Sequence, residues 1–279
     1  MHIYLIKSNS LIKICITIYS LIIVSCCDTD YLANRQISQK SIIYNNKELY
    51  YYISTPNNYD SSKSYPLLIA LHGGTRVDSS TAYWLLEQLY IPTFEKTDLL
   101  IVAPNSPSNF GWSKVKGLES IKAVIENINQ EYFIDSDKYF VSGYSMGAIM
   151  AWYVVEKIPE LFIGAIPVSG RYGWEAIPYI NNNQTDNPYS VDTINNLLNK
   201  QFYVINSRID DQFPFFQVEW QMDKLSELGV PILFNPVDDL THLPISEFIT
   251  PLKMSIPWIN SLIENYCCIV TPRASNLYY

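Results

Sequence analysis

The sequence predicts an α/β fold, with a mainly parallel central sheet and helices on both of its faces. Three observations predict it. Short apolar runs alternate with segments of one-sided helical spacing from about residue 65 onward, and such alternation requires crossover connections between parallel strands. The run Pro66-Leu67-Leu68-Ile69-Ala70-Leu71 is apolar throughout, as a strand covered on both faces should be. Finally, Tyr139-Phe140-Val141-Ser142 passes into Ala148-Ile149-Met150-Ala151-Trp152 across Gly143 and Gly147, so a strand breaks straight into a helix.

Taken in order, residues 1–25 are expected to be a leader and 26–40 a tether. Ser41-Ile42-Ile43-Tyr44 and Glu48 to Ile53 flank Asn45-Asn46-Lys47, which signals a hairpin with a short turn. After the strand at 66–71, residues 80–96 read as helix and 98–103 as strand. Val115, Leu118, Ile121, Val124, Ile125 and Ile128 recur at helical spacing up to Tyr132. The strand at 139–142 and helix at 145–158 follow, then a strand at 163–168, where Pro167 belongs near the strand's end.

Residues 171–200 break the rhythm, with Asn181-Asn182-Asn183-Gln184 between Tyr172, Trp174, Tyr179 and Tyr189; they read as an irregular excursion. Strands at 202–206 and 232–234 enclose a helix at 216–228, and a final helix is expected over 246–265. Thus the domain spans 41–266, with a tail at 267–279. The length of 279 residues suits one such domain.

Charged residues make up only 16% of the chain, which separates it from disordered sequences. A net charge of −8 without a basic stripe argues against a nucleic-acid partner. No spacing of the five cysteines and three histidines suits zinc, and neither a metal nor an organic cofactor is expected. Adjacent Cys267 and Cys268 could pair with each other only through a strained ring.

Lys7 and Lys13 precede the uncharged run Ile14 to Val24, whose length suits a signal peptide better than a membrane span. Its end, Ile23-Val24-Ser25-Cys26, resembles a bacterial lipoprotein signal. The resemblance implies cleavage before Cys26, acylation of that residue, and export to the cell envelope as a membrane-anchored protein. An ordinary secretory signal is the alternative.

Gly143-Tyr144-Ser145-Met146-Gly147 has the G-x-S-x-G form and the strand–helix context that resemble the nucleophile elbow of α/β-hydrolases. The resemblance implies a chain order of Ser, then Asp or Glu, then His. Of the three histidines, His2 lies in the leader and His72 precedes the serine, which leaves His242 as base. The acid should follow the strand at 202–206, where Asp210 and Asp211 both stand. Two backbone N–H groups should form the oxyanion hole. One is expected from Met146 and the other from Gly74 or Thr75 in His72-Gly73-Gly74-Thr75, with His72 bracing that loop.

The chain also resembles single-domain esterases grouped with polyhydroxybutyrate depolymerases, feruloyl esterases and prolyl-oligopeptidase-like hydrolases. Its marks are Leu71-His72-Gly73-Gly74, Pro104 with Trp112, Ile134-Asp135, the elbow, Asp210 with Pro214, His242, and Trp258-Ile259. The D-x-x-V-P pattern of that group favours Asp210, with Phe213 in place of Val. Asn206-Ser207 stands where the group usually has His-Gly, and Ala148 where it has a second Gly.

The resemblance implies a serine carboxylic ester hydrolase working through an acyl-enzyme on small-molecule or polysaccharide-linked esters. Trp112, Tyr144 and Trp174 are expected to bind substrate. A peptidase of the prolyl-oligopeptidase type and a catalytically silent surface binding protein are the alternative readings.

Overall fold

The computed structural model describes residues 35–74, 77–174 and 187–268. Strands β1 (Gln36–Tyr44) and β2 (Lys47–Thr55) form the expected hairpin. Asn45 and Asn46 supply its turn with φ of 50° and 61°, the left-handed pair that a two-residue turn demands and asparagine tolerates. β1 starts at Gln36, inside the segment expected as tether, and pairs in register from Gln36 against Thr55. It is an edge strand with one neighbour, largely exposed, so it carries no apolar pattern to betray it. Arg35 anchors its start from a buried position, donating to Ser54 Oγ and to the carbonyls of Phe94 and Thr97 at 3.0–3.1 Å.

Strand β3 (Tyr65–Leu71) leads to helix α1 (Thr81–Leu85), which continues through a π-helical turn (Leu86–Tyr90) into α2 (Ile91–Phe94). Strand β4 (Leu100–Pro104) and helix α3 (Lys114–Glu131) follow. The inward stripe of α3 begins at Gly117 rather than Val115, which is exposed, because Met150 and Trp112 fill the space beside Gly117. Strand β5 (Ile134–Tyr144) breaks into helix α4 (Met146–Lys157), and strand β6 (Gly164–Val168) has Pro167 next to its end.

The excursion over 171–200 is not wholly irregular: helix α5 (Val191–Leu197) lies in it, capped by Ser190 Oγ accepting from Thr193 N–H. That is a normal N-cap pairing. Strand β7 (Gln201–Ser207), helix α6 (Phe215–Glu227) and strand β8 (Ile232–Val237) complete the sheet.

The expected final helix is broken into a 3₁₀ turn (Ile245–Phe248), α7 (Ile249–Lys253) and α8 (Ile256–Cys268). Pro257 lacks an N–H to continue the preceding helix but fits the first turn of a new one. Ser255 closes α7 by donating from Oγ to the Leu252 carbonyl at 2.7 Å. α8 runs to Cys268, two residues into the expected tail.

The eight strands lie in the order β1-β2-β4-β3-β5-β6-β7-β8, antiparallel at the hairpin and parallel from β4 to β8. Alternate residues of β3 build both cores. Leu67, Ile69 and Leu71 pack with Ile121, Val124 and Met150 on one face. Leu68 and Ala70 pack with Leu85, Leu89, Phe248 and Ile259 on the other. Because the central strands run in one direction, the loops after β3, β5, β6, β7 and β8 gather at one rim, where ligands bind in open α/β sheets.

Candidate active site

Ser145 stands between β5 and α4 at φ 58°, ψ −121°, a conformation that costs a side-chain-bearing residue about 1–3 kcal/mol. The flanking glycines make the turn feasible. A Cβ on Gly143 would fall 2.0 Å from the Gly147 carbonyl oxygen, and one on Gly147 would fall 2.1 Å from that of Leu71. Ser145 N–H donates to the Val168 carbonyl at 2.9 Å, tying the turn to β6.

His242, in the loop after β8, presents Nε2 at 3.0 Å from Ser145 Oγ. Its Nδ1 lies 3.2 Å from an Asp210 carboxylate oxygen and 3.0 Å from Ser169 Oγ. With a carboxylate behind it, Nδ1 carries the proton and Nε2 offers a lone pair to the serine. Asp210 is buried after β7 and accepts from the N–H groups of Gln212 at 2.9 Å and Phe213 at 2.8 Å. Burial would raise its carboxyl, but hydrogen bonds from His242, Ser169, Phe213 and Gln212 outweigh that and hold it below its ordinary value.

Asp211 does not face the imidazole edge; its Oδ1 accepts from the His242 backbone N–H at 3.1 Å. It ties the loop of the acid to the loop of the histidine. Asn206 and Ser207 brace the same region. Asn206 Nδ2 donates to the Phe213 carbonyl at 3.3 Å, and Ser207 Oγ accepts from Leu240 N–H at 3.2 Å.

Beside the serine lies the loop after β3. Gly73 approaches Ser145 and Gly74 approaches Met146; a Cβ on Gly74 would meet Met146 Cε at 2.6 Å. Gly111, at φ 95°, also packs on Met146 and against Gly74, a neighbour that no sequence motif singles out. His72 braces this loop: Nδ1–H donates to the Gly73 carbonyl at 2.7 Å and Nε2 accepts from Ser106 N–H at 2.9 Å. Thr75 and Cys26 lie outside the described residues.

Two of the expected substrate contacts, Trp112 and Tyr144, make structural bonds here. Trp112 is buried, donates from Nε1 to the His72 carbonyl at 2.8 Å and packs against the His72 ring; it supports the glycine loop from behind. Tyr144 is buried as well, with its hydroxyl donating to the His242 carbonyl and its ring 5.2 Å from the imidazole. Residue type predicts an aromatic near the site but not which side of the backbone it occupies. Trp174 is half-buried against Tyr153 at 6.3 Å.

Ser169 was also missed. It follows β6 directly, and its hydroxyl bonds Asp210 Oδ2. The available signal was a polar Ser-Gly pair ending an apolar central strand. Among the described residues, no group of three or more His, Cys, Asp or Glu is placed to hold a metal ion. No helix among them is long and apolar enough to cross a membrane.

This architecture is the α/β-hydrolase fold, which solved structures share. One described as a ferulic acid esterase superposes with a TM-score of 0.63 at 17% identity, covering 82% of this chain and 99% of its own. The model of the prolyl oligopeptidase family matches residues 111–249, a span that contains Ser145, Asp210 and His242.

A probable feruloyl esterase C of Aspergillus terreus is 30% identical over 106 residues, 37% of this chain and 39% of that protein. Poly(3-hydroxyalkanoate) depolymerase C of Paucimonas lemoignei is 28% identical over 116 residues, 38% of this chain and 28% of that protein. The chain thus spans about two fifths or less of the length of these curated relatives.

Proposed function

We propose that the protein is a serine carboxylic ester hydrolase in which Ser145, His242 and Asp210 act as nucleophile, base and acid. The observation that carries this reading is the 3.0 Å approach of His242 Nε2 to Ser145 Oγ with Asp210 behind the same ring. That spacing suits proton transfer. His242 takes the serine proton as Oγ bonds the ester carbonyl carbon, and the ionised Asp210 stabilises the imidazolium. The N–H groups of Met146 and of Gly74 or Thr75 hold the developing oxyanion. His242 then gives its proton to the departing alkoxide as the C–O bond breaks. Water, deprotonated by the same imidazole, releases the acid and restores the serine.

The likeness to feruloyl esterase C supports phenolic or polysaccharide-linked esters as the substrate class, with no cofactor required. Export with a lipid anchor on Cys26 completes the proposal, and Cys26→Ala should move the protein from the membrane to the soluble fraction. The prolyl oligopeptidase match favours a second reading, cleavage of peptides by the same groups.

The test is a panel of acetyl, butyryl and feruloyl esters and aminoacyl anilides with wild type and Ser145→Ala. Ester turnover and fluorophosphonate labelling are expected from wild type alone. Turnover of anilides without esters would favour the peptidase, and equal ester turnover by both proteins would end the hydrolase reading.

A further inference from the structure

Ser169 lies at φ 49°, in the left-handed region that strains a residue with a Cβ. Glycine would adopt this conformation freely, and the next residue is itself glycine. The serine is fully buried, and its N–H donates to the Ile205 carbonyl of β7 at 2.8 Å. Its backbone is therefore tied to β7, the strand that leads to Asp210. A strained, buried serine where glycine would fit freely points to use of the hydroxyl.

The hydroxyl has one hydrogen and two lone pairs. Ionised Asp210 has no proton to offer, so the hydrogen goes to Oδ2 and a lone pair is left for His242. Nδ1–H is then shared between Ser169 Oγ at 3.0 Å and the carboxylate at 3.2 Å. The latter is long for a charge-assisted bond, which usually spans about 2.7–2.9 Å.

We propose that Ser169 is a positioning residue of the triad, a hydroxyl wedged between acid and base that orients the carboxylate and accepts part of the imidazolium proton's hydrogen bonding. The proposal rests on the ester-hydrolase reading. It does not place Ser169 in contact with substrate. Its effect is on how well His242 is held and stabilised while it carries the serine proton, so it should appear in turnover and leave substrate affinity alone.

The experiment compares Ser169→Gly and Ser169→Ala with wild type and Ser145→Ala, measuring kcat and KM on p-nitrophenyl acetate and thermal unfolding of each. Both Ser169 variants are expected to lose 10- to 100-fold in kcat with KM within twofold. Ser169→Gly should keep or exceed the wild-type Tm, because backbone strain is released. Wild-type kcat in Ser169→Gly, beside an inactive Ser145→Ala, would overturn the proposal and leave the hydrolase reading standing. A kcat loss matched in both variants by a fall in Tm would also overturn it, by making the role structural. Full activity of Ser145→Ala would remove the reading on which it rests.

Discussion

Two buried histidines stand on the loops after β3 and β8, and their ring nitrogens have different partners. His72 is bonded to backbone at both ring nitrogens, to the Gly73 carbonyl and the Ser106 N–H. Burial lowers its pKa to about 4, outweighing the bond to Gly73 that acts the other way. It is a neutral strut. His242 has a carboxylate and a hydroxyl behind it and the elbow serine before it. What separates the proposed base from the brace is therefore the partner of each nitrogen, and burial alone does not distinguish them.

The largest expected effect comes from exchanging that distinction. His242→Phe should lower kcat/KM on short-chain esters by about ten-thousand-fold or more, as loss of a triad member does, with little change in unfolding. His72→Phe should do the reverse. It leaves the buried Ser106 N–H unpaired, a cost of about 1–3 kcal/mol in stability, while kcat falls tenfold at most.

Acid should sharpen the same contrast. The unfolded chain binds a proton at His72 below about 6.5, whereas the folded protein resists protonation until about 4. The His72 contribution is thus intact above pH 6.5 and falls as pH drops towards 4, by about 3 kcal/mol in all at roughly 1.4 kcal/mol per pH unit. Denaturant unfolding across that window should show the slope in wild type and lose it in His72→Phe. An unchanged slope in the variant would remove His72 as its source.

The adjacent acids offer the next separation. Asp210→Asn takes the charge from behind the imidazole and allows the wrong tautomer, so a loss of about 10³- to 10⁴-fold in kcat is expected. Asp211→Asn keeps an acceptor for the His242 N–H and should cost less than tenfold. Equal losses, measured under saturating ester, would mean that the two carboxylates share the role.

The fold was legible because its central strands are buried on both faces and so read as unbroken apolar runs. The residues of the proposed site could be singled out for a different reason: a strained elbow needs two glycines, and the chain offers a single histidine after it. What escaped has physical causes. β1 is an exposed edge strand without an apolar pattern, so its start at Gln36 passed for tether. The helix breaks at Ser255 despite continuous apolar spacing, because Pro257 opens a new helix within it. Ser169 gave no motif, since its role depends on a backbone twist and on two partners some 40 and 70 positions away.

The smallest effect tests how the two histidine loops are held from outside. Each has its backbone carbonyl capped by a buried aromatic donor: Trp112 Nε1 bonds His72, and Tyr144 bonds His242. Burial raises the Tyr144 phenol well above its ordinary value, so it remains a donor throughout the working pH range. Tyr144→Phe keeps the ring packed between His242 and Phe248 and removes the hydroxyl, with its bond to the His242 carbonyl and its interaction with Ser169. A net hydrogen bond of about 0.5–1.5 kcal/mol corresponds to a loss of roughly 3- to 10-fold. That loss should appear in kcat, because the carbonyl belongs to the proposed base. Trp112→Phe removes the equivalent bond from the strut and should lower Tm with kcat changed less than Tyr144→Phe changes it. If both variants lowered kcat equally at unchanged Tm, the glycine loop would be positioned as finely as the base, and the division between brace and base would not hold.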